Sequence, residues 1–347
     1  MINFCTLFDS NYLTRGLALY ESLEKNCPSF HLYVVAFNDD CYTYLNKSGL
    51  ECLTPIALSD FEDQNLLEVK PTRSIAEYCW TCTPSVILYC LNRFALPSCT
   101  YVDADMIFYK DPALLFDELK ADSILITEHR YSKEYDQSAT HGKYCVQFML
   151  FKNNDAGLRA LSWWRDRCLE WCFSYQEDGK FGDQKYLDDW TTRFPGVHVL
   201  QHPGGGVAPW NVQQFRFVAE HSDIRIIENK SGHRYPLVFF HFHGLKFYTD
   251  NTVSLSGSLY EIKQEVKTLV YKPYVARLLE IAERLKRDGT HFNVSGARGP
   301  APSRFETLIE YMKFFGILVL KGKASPFHLK YYNFKNHYHL YNINVFK

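Results

Sequence analysis

The chain has 347 residues with 46% hydrophobic and 16% aromatic content, enough to bury the core of one large α/β domain with an appendage, or of two domains. Its net charge of −1 hides an acidic body and a basic tail: of 38 Lys/Arg and 39 Asp/Glu, residues 252–347 hold 15 and 7, a net of +8, leaving 23 and 32, a net of −9. No stretch reaches the ~18–20 continuous apolar residues of a spanning helix, and the tail shows no nucleic-acid-binding module, so no nucleic-acid partner is expected.

Apolar strand-like runs alternate with helix-like ones along the first 250 residues. Ile2 to Phe8 reads as a strand and Leu13 to Glu24 as a helix, with Leu17, Tyr20 and Leu23 at helical spacing. His31 to Phe37 is a second strand. Arg73 to Leu91 reads as a helix broken or entered near Pro84, and Cys99 to Phe108 as a strand carrying carboxylates. Short strands follow at Ser123 to Thr127 and Val146 to Phe151, then a Trp-rich helix from Gly157 to Phe173 and a strand from Val197 to Gln201. Such alternation predicts a mostly parallel sheet with helices on both faces. Beyond Asp250 the pattern turns helical: Tyr260 to Arg287 with a kink near Pro273, a Gly/Pro/Ser-rich linker from Ser295 to Ser303, and a second helix from Arg304 to Lys323.

All eleven cysteines lie between Cys5 and Cys172. Cys79-x-x-Cys82 is a lone pair, and Cys168 and Cys172 sit one helical turn apart, which leaves no zinc-like set of four ligands. Met1-Ile2-Asn3-Phe4 runs straight into a strand with no basic leader. Buried free thiols in a reducing compartment are therefore expected, with the protein cytoplasmic.

The most informative run is Tyr101-Val102-Asp103-Ala104-Asp105-Met106. Residues two apart on an extended chain point the same way, so Asp103 and Asp105 would meet at the C-terminal edge of the strand, where open α/β sheets place ligands. Two hard oxygen ligands suit Mg²⁺ or Mn²⁺, although a strand followed by an acidic turn gives the same letters.

The set of motifs resembles family 8 glycosyltransferases and their nucleotide-diphospho-sugar transferase relatives, over roughly Ile2 to Lys246. The opening Ile2-Asn3-Phe4-Cys5-Thr6-Leu7-Phe8-Asp9-Ser10-Asn11-Tyr12 looks like their first strand and nucleotide-cradling turn. Asp103-Ala104-Asp105 resembles their Asp-x-Asp motif, and Asp183-Gln184-Lys185-Tyr186-Leu187 their Asp-Gln-x-x-Leu segment. Trp210-Asn211 and His241-Phe242-His243-Gly244-Leu245-Lys246 are similar to the motifs that follow.

The resemblance implies a GT-A type Rossmann-like catalytic domain over residues 1–250 with a helical, basic C-terminal extension over 251–347. It implies that Thr6, Phe8, Asp9, Tyr12 and Asp103 bind the nucleotide, that Lys246 adds charge at its phosphates, and that Asp103, Asp105 and His241 hold Mn²⁺ or Mg²⁺. His243 is the second candidate, and both histidines also suit an aromatic core. Retention would place Gln184 at the anomeric carbon, with Asp183 orienting hydroxyls; the same pair also reads as the cap of a helix starting at Lys185.

Three departures stand out. Gly244-Leu245-Lys246 is one residue short, Cys145-Val146-Gln147 replaces an Asn-x-Gly, and Asp188 replaces an Asn. The second removes a sugar-hydroxyl partner and adds bulk. Gly204-Gly205-Gly206 reads as a tight turn, and Trp163, Trp164, Trp171 and Tyr175 as core more than sugar platform. The expected activity is transfer of a hexose from a UDP-sugar to a carbohydrate or glycolipid acceptor in cell-surface polysaccharide assembly. A nucleotide-sugar hydrolase or nucleotidyltransferase with the same metal site, or a catalytically silent sugar-binding protein, are the alternatives. Lys313, Lys321 and Lys323 around the apolar Phe314 to Leu320 run make that helix a candidate for contact with an anionic membrane, against packing on the body.

Overall fold

The computed structural model describes residues 1–221, 223–257, 259–320 and 339–346. Among these, seven strands form the central sheet: β1 (Ile2–Phe8), β2 (Phe30–Ala36), β3 (Leu53–Ala57), β4 (Ser98–Val102), β6 (Ile124–Glu128), β7 (Tyr144–Lys152) and β8 (Val197–Val199), with β5 (Met106–Phe108) outside it. Their order is β3-β2-β1-β4-β7-β6-β8. Four of the six pairings are parallel, and β7 runs antiparallel to both neighbours. The fold is mixed α/β, as the alternation predicts.

The long helices are α1 (Leu13–Asn26), α2 (Ile75–Arg93), α3 (Asp155–Glu170), α4 (Lys272–Arg287) and α5 (Arg304–Leu320). Side-chain alternation on β1 divides the core between the two faces of the sheet. Phe4 and Phe8 pack with Leu13, Leu17 and Leu23 of α1, and Cys5 and Leu7 pack with Ile87 of α2 and Trp164 of α3. A Cβ on Gly16 would stand 2.2 Å from Phe8 Cζ, so α1 approaches the sheet only because that position has no side chain. A capping box between Ser74 and Glu77 starts α2, which runs through Pro84 without a break. All eleven cysteines are free thiols.

The acidic run is not one strand. β4 ends at Val102, Asp103 to Asp105 form a turn, and β5 leaves to pair antiparallel with β12 (Phe239–His241). A meander of β9 (Phe215–Glu220), β10 (Asp223–Glu228) and β11 (Arg234–Pro236) leads into β12.

The helix expected from Tyr260 starts at Gln264 and passes through a π segment, Lys267–Tyr271, immediately before α4. Pro273 falls in the first turn of α4, where a proline, having no N–H, is tolerated. Several of the described residues beyond 250 pack on the body. Arg277 and Arg284 of α4 pair with Glu21 of α1 at 2.7 and 2.9 Å, and β15 (Leu340–Asn342) pairs with β14 (Thr252–Ser254), itself paired with β13 (Lys246–Phe247).

The Ser295–Ser303 segment is irregular but anchored: Ser295 O accepts from Arg15 Nη1 at 2.9 Å, and Gly299 O accepts the Thr249 N–H at 2.9 Å. Among the described residues no helix is long and apolar enough to cross a membrane. Lys321 and Lys323 lie outside the described residues.

Candidate active site and metal centre

The sheet order sets the place of the site. From β1 the chain moves outward to β2 and β3, then returns to put β4 on the other side of β1. Open α/β sheets form a crevice at such a reversal, beyond the C-terminal strand ends. Asp9 follows β1 there and Asp103 follows β4.

The turn, rather than strand alternation, brings the carboxylates together. Asp103 N–H donates to Gln147 O on β7 at 3.1 Å, and Asp105 O accepts from Phe242 N–H at 2.9 Å. The β5–β12 pairing delivers His241 to the same point, its Nε2 3.1 Å from Asp105 Oδ1 and 3.6 Å from Asp103 Oδ2. Ligand atoms of the three residues all lie within 4.8 Å of one another. The imidazole is 6% exposed and the Asp103 carboxylate 28%, so the nitrogen comes from the protein side and the oxygens face the crevice. Two carboxylates and one imidazole fit a divalent ion.

Charge follows the geometry. Burial pushes the Asp105 carboxyl up, but the His241 imidazole beside it outweighs burial and brings it down to about 2. Burial holds Asp103 above its ordinary range, with His241 opposing and Asp105 adding to the rise. The carboxylates in turn hold His241 well above a free imidazole, against the effect of its burial.

On the β1 side, Asp9 is the cap of a 3-10 turn, accepting Asn11 N–H at 3.0 Å, and Tyr12 stands 41% exposed beside it. Burial, then the Asp105 carboxylate, raises the Tyr12 hydroxyl. Thr6 and Phe8 are buried, Phe8 against Gly16 and Thr6 with a hydroxyl that finds no partner among the described residues, so they underlie the turn. Lys246 is exposed on β13.

Arg15, which no motif singled out, is 3% exposed and lies 4.5 Å from the Tyr12 ring. It donates to Ser295 O at 2.9 Å and Leu245 O at 3.1 Å, tying the turn, the 241–246 motif and the C-terminal segment together. Its only sequence signal is the i, i+3 spacing from Tyr12.

Asp183 is 6% exposed, and Trp164 Nε1 donates to its main-chain oxygen at 2.9 Å, which assigns that core tryptophan a positioning role. Burial, then the charge of Asp103, pushes the Asp183 carboxyl up to about 7. Gln184 heads a 3-10 turn, Gln184–Leu187, in place of a longer helix, and its Nε2 donates to His141 O at 2.8 Å. Asp188 accepts Lys143 N–H at 2.7 Å and pairs with Lys185 at 2.6 Å. Lys143, Lys185 and Asp188 border a cavity of about 490 Å³, lined also by Glu128, Arg130, Tyr131, Asp136 and Ser138. Trp210 stands between Tyr131 and the metal candidates, its ring 5.4 Å from that of His241. Of the four aromatic residues read as core, Trp164 and Trp171 are buried, Trp163 is partly so, and Tyr175 is exposed.

The chain is 30% identical over 298 residues to the Bacillus subtilis (strain 168) protein YfnF, described as uncharacterized, covering 84% of this chain and 96% of YfnF. It belongs to the YfnF family. YfnD of the same organism is 29% identical over 284 residues, 80% of this chain and 88% of YfnD. No family model matches the sequence. Among solved structures, the galactosyltransferase LgtC in complex with donor and acceptor sugar analogs matches at TM-score 0.49 and 12% identity, over 80% of this chain and 96% of that one. Mouse xyloside xylosyltransferase 1, apo form, matches at 0.40 and 12%, over 60% and 87%. Likenesses at that level decide nothing about activity, which is left to the site of this YfnF-family chain.

Proposed function

We propose that this protein is a metal-dependent GT-A type glycosyltransferase, moving a hexose from a UDP-sugar to a carbohydrate or glycolipid acceptor with retention, in cell-surface glycan assembly. The observation that carries the reading is the meeting of Asp103, Asp105 and His241 at the β1/β4 reversal, beside a turn with an exposed aromatic ring. A bound Mn²⁺ or Mg²⁺ supplies Lewis-acid neutralisation of the diphosphate as it leaves.

The chain's own residues do the rest. Tyr12 and Asp9 take the base and ribose over the floor made by Thr6 and Phe8. Lys246 adds a point charge at the phosphates. Asp183, poised near neutral pH, exchanges hydrogen bonds with sugar or acceptor hydroxyls. Gln184 has its amide N–H on His141 O, which leaves its carbonyl oxygen to face positive character at the anomeric carbon. Retention puts acceptor and leaving group on one face of the sugar. The 490 Å³ cavity lined by Lys185 and Asp188, which follow Gln184 in the chain, is large enough for the acceptor's terminal sugar.

On this reading the protein works in the cytoplasm, with peripheral contact at the inner face of a membrane. Exposed Phe305, Met312, Val319 and Leu320 on α5, with the net +8 of residues 252–347, support peripheral contact with anionic lipid.

Thermal unfolding tests the ligand class. With Mn²⁺ present, UDP at 100 times its dissociation constant stabilises the fold by about 2.7 kcal/mol. No shift with UDP at millimolar concentration, or an equal shift without the metal, sinks the reading.

A further inference from the structure

Gln147 is a fully buried amide in the apolar strand β7, between Cys145 and Met149. Sequence comparison counted it as bulk in place of a glycine. In the structure it touches two of the three metal candidates. Its main-chain oxygen accepts the Asp103 N–H at 3.1 Å, where the β4–β7 ladder ends, and its Oε1 lies 2.8 Å from His241 Nδ1.

An amide oxygen only accepts, so the Nδ1 facing it carries the proton. Nε2 is then the nitrogen that faces Asp105 and Asp103, at 3.1 and 3.6 Å, and the one that would give up its proton to a metal ion. The other end of the amide shows what this arrangement costs. Gln147 Nε2 is buried and has no partner among the described residues, and it sits 3.4 Å from where a Cβ of Gly206 would be. A buried donor left unmade is expensive, and rotating the amide would place its NH₂ against Nδ1 and select the other tautomer. Cys145 Sγ, beside the same ring, is only a weak acceptor.

We infer, resting on the metal reading above, that Gln147 is a positioning residue of the metal centre: its side-chain oxygen fixes the tautomer and tilt of His241, and its main-chain oxygen fixes the turn that bears Asp103.

Two variants test this through Mn²⁺ binding itself, read as free Mn²⁺ by electron paramagnetic resonance, with the metal alone and with UDP. Gln147→Met keeps the volume and removes the acceptor; loss of such an outer partner weakens metal affinity about 10–100-fold. Gln147→Glu keeps an acceptor at Nδ1 and is expected within a few-fold of wild type. In protein labelled with ¹⁵N-histidine and loaded with diamagnetic Mg²⁺ in place of Mn²⁺, His241 is expected as the Nδ1–H form in wild type and as a mixture in Gln147→Met.

Unchanged Mn²⁺ affinity and unchanged ¹⁵N shifts in Gln147→Met overturn the inference while leaving the metal centre standing. If Gln147→Met does not fold, a tenfold loss in folded Gln147→Glu overturns it equally. Wild-type protein that binds no Mn²⁺, with or without UDP, overturns the metal centre and this inference together.

Discussion

Gly206→Ala tests how the loop behind His241 is built. Gly206 has φ +91°, and a Cβ added there would stand 2.8 Å from both Arg130 Nη2 and Thr127 Cγ2. Neither neighbour is free to move. Thr127 Oγ1 donates to Phe148 O at 2.9 Å, and the Arg130 guanidinium donates to His202 O at 3.2 Å and also to Gly205 O. Positive φ costs an L-residue about 1–2 kcal/mol, and forcing extra volume into a packed site about 1–3 kcal/mol. The expected loss is therefore about 2–5 kcal/mol. Gly49→Ala is the control: its φ is +67° and nothing lies within 4 Å, so only the first cost, about 1–2 kcal/mol, applies. Urea unfolding of both variants isolates the packing contribution. Because Val207 O accepts the His241 N–H at 2.9 Å, a shifted loop also disturbs the candidate ligand. Equal destabilisation of the two variants would refute the close-packed loop.

Other outcomes follow from particular contacts. Glu77 accepts from Ser74 N–H and Oγ at 2.9 and 2.7 Å and from Ser174 N–H and Oγ, both at 2.8 Å. Burial raises its carboxyl, but these bonds bring it down to about 2 from an ordinary 4.5. A depressed folded value means that its stability is fully present above pH 4.5 and fades as pH falls toward 2. Glu77→Gln should thus cost about 1–3 kcal/mol at pH 7 and progressively less below pH 4.5, read from urea midpoints across pH; a constant difference contradicts this. Tyr12→Ala should raise the donor KM roughly fivefold, the equivalent of about 1 kcal/mol of ring contact, with a smaller fall in kcat; an unchanged KM removes the N-terminal turn from the nucleotide site. The full chain should sediment with anionic vesicles at low salt and detach at high salt; failure to sediment ends the membrane proposal.

Local pattern carried most of the fold. β1, α1 and β2 follow from apolar periodicity, a signal contained within a few residues. What stayed hidden depends on distant partners. The break after Val102 is set by β5 leaving to pair with β12, more than 130 residues along the chain. Arg15 looks like a surface residue until Leu245 and Ser295, 230 and 280 residues away, supply its carbonyls. Asp103, Asp105 and His241 were legible as residue types at suggestive spacings. The hydrogen bond that orients His241 was not, because a lone Gln in an apolar strand marks a buried polar contact without naming its partner.

Release of UDP from UDP-hexoses in the presence of Mn²⁺, compared between wild type and Asp105→Ala, tests the central claim most directly. Asp105 sits in a turn at the crevice rather than in the apolar core, so the variant should stay folded, with a cooperative urea transition. Wild type should release UDP slowly without acceptor and only with the metal, and Asp105→Ala should release none. Release by Asp105→Ala at the wild-type rate, with the same dependence on Mn²⁺, would contradict the assignment of this site.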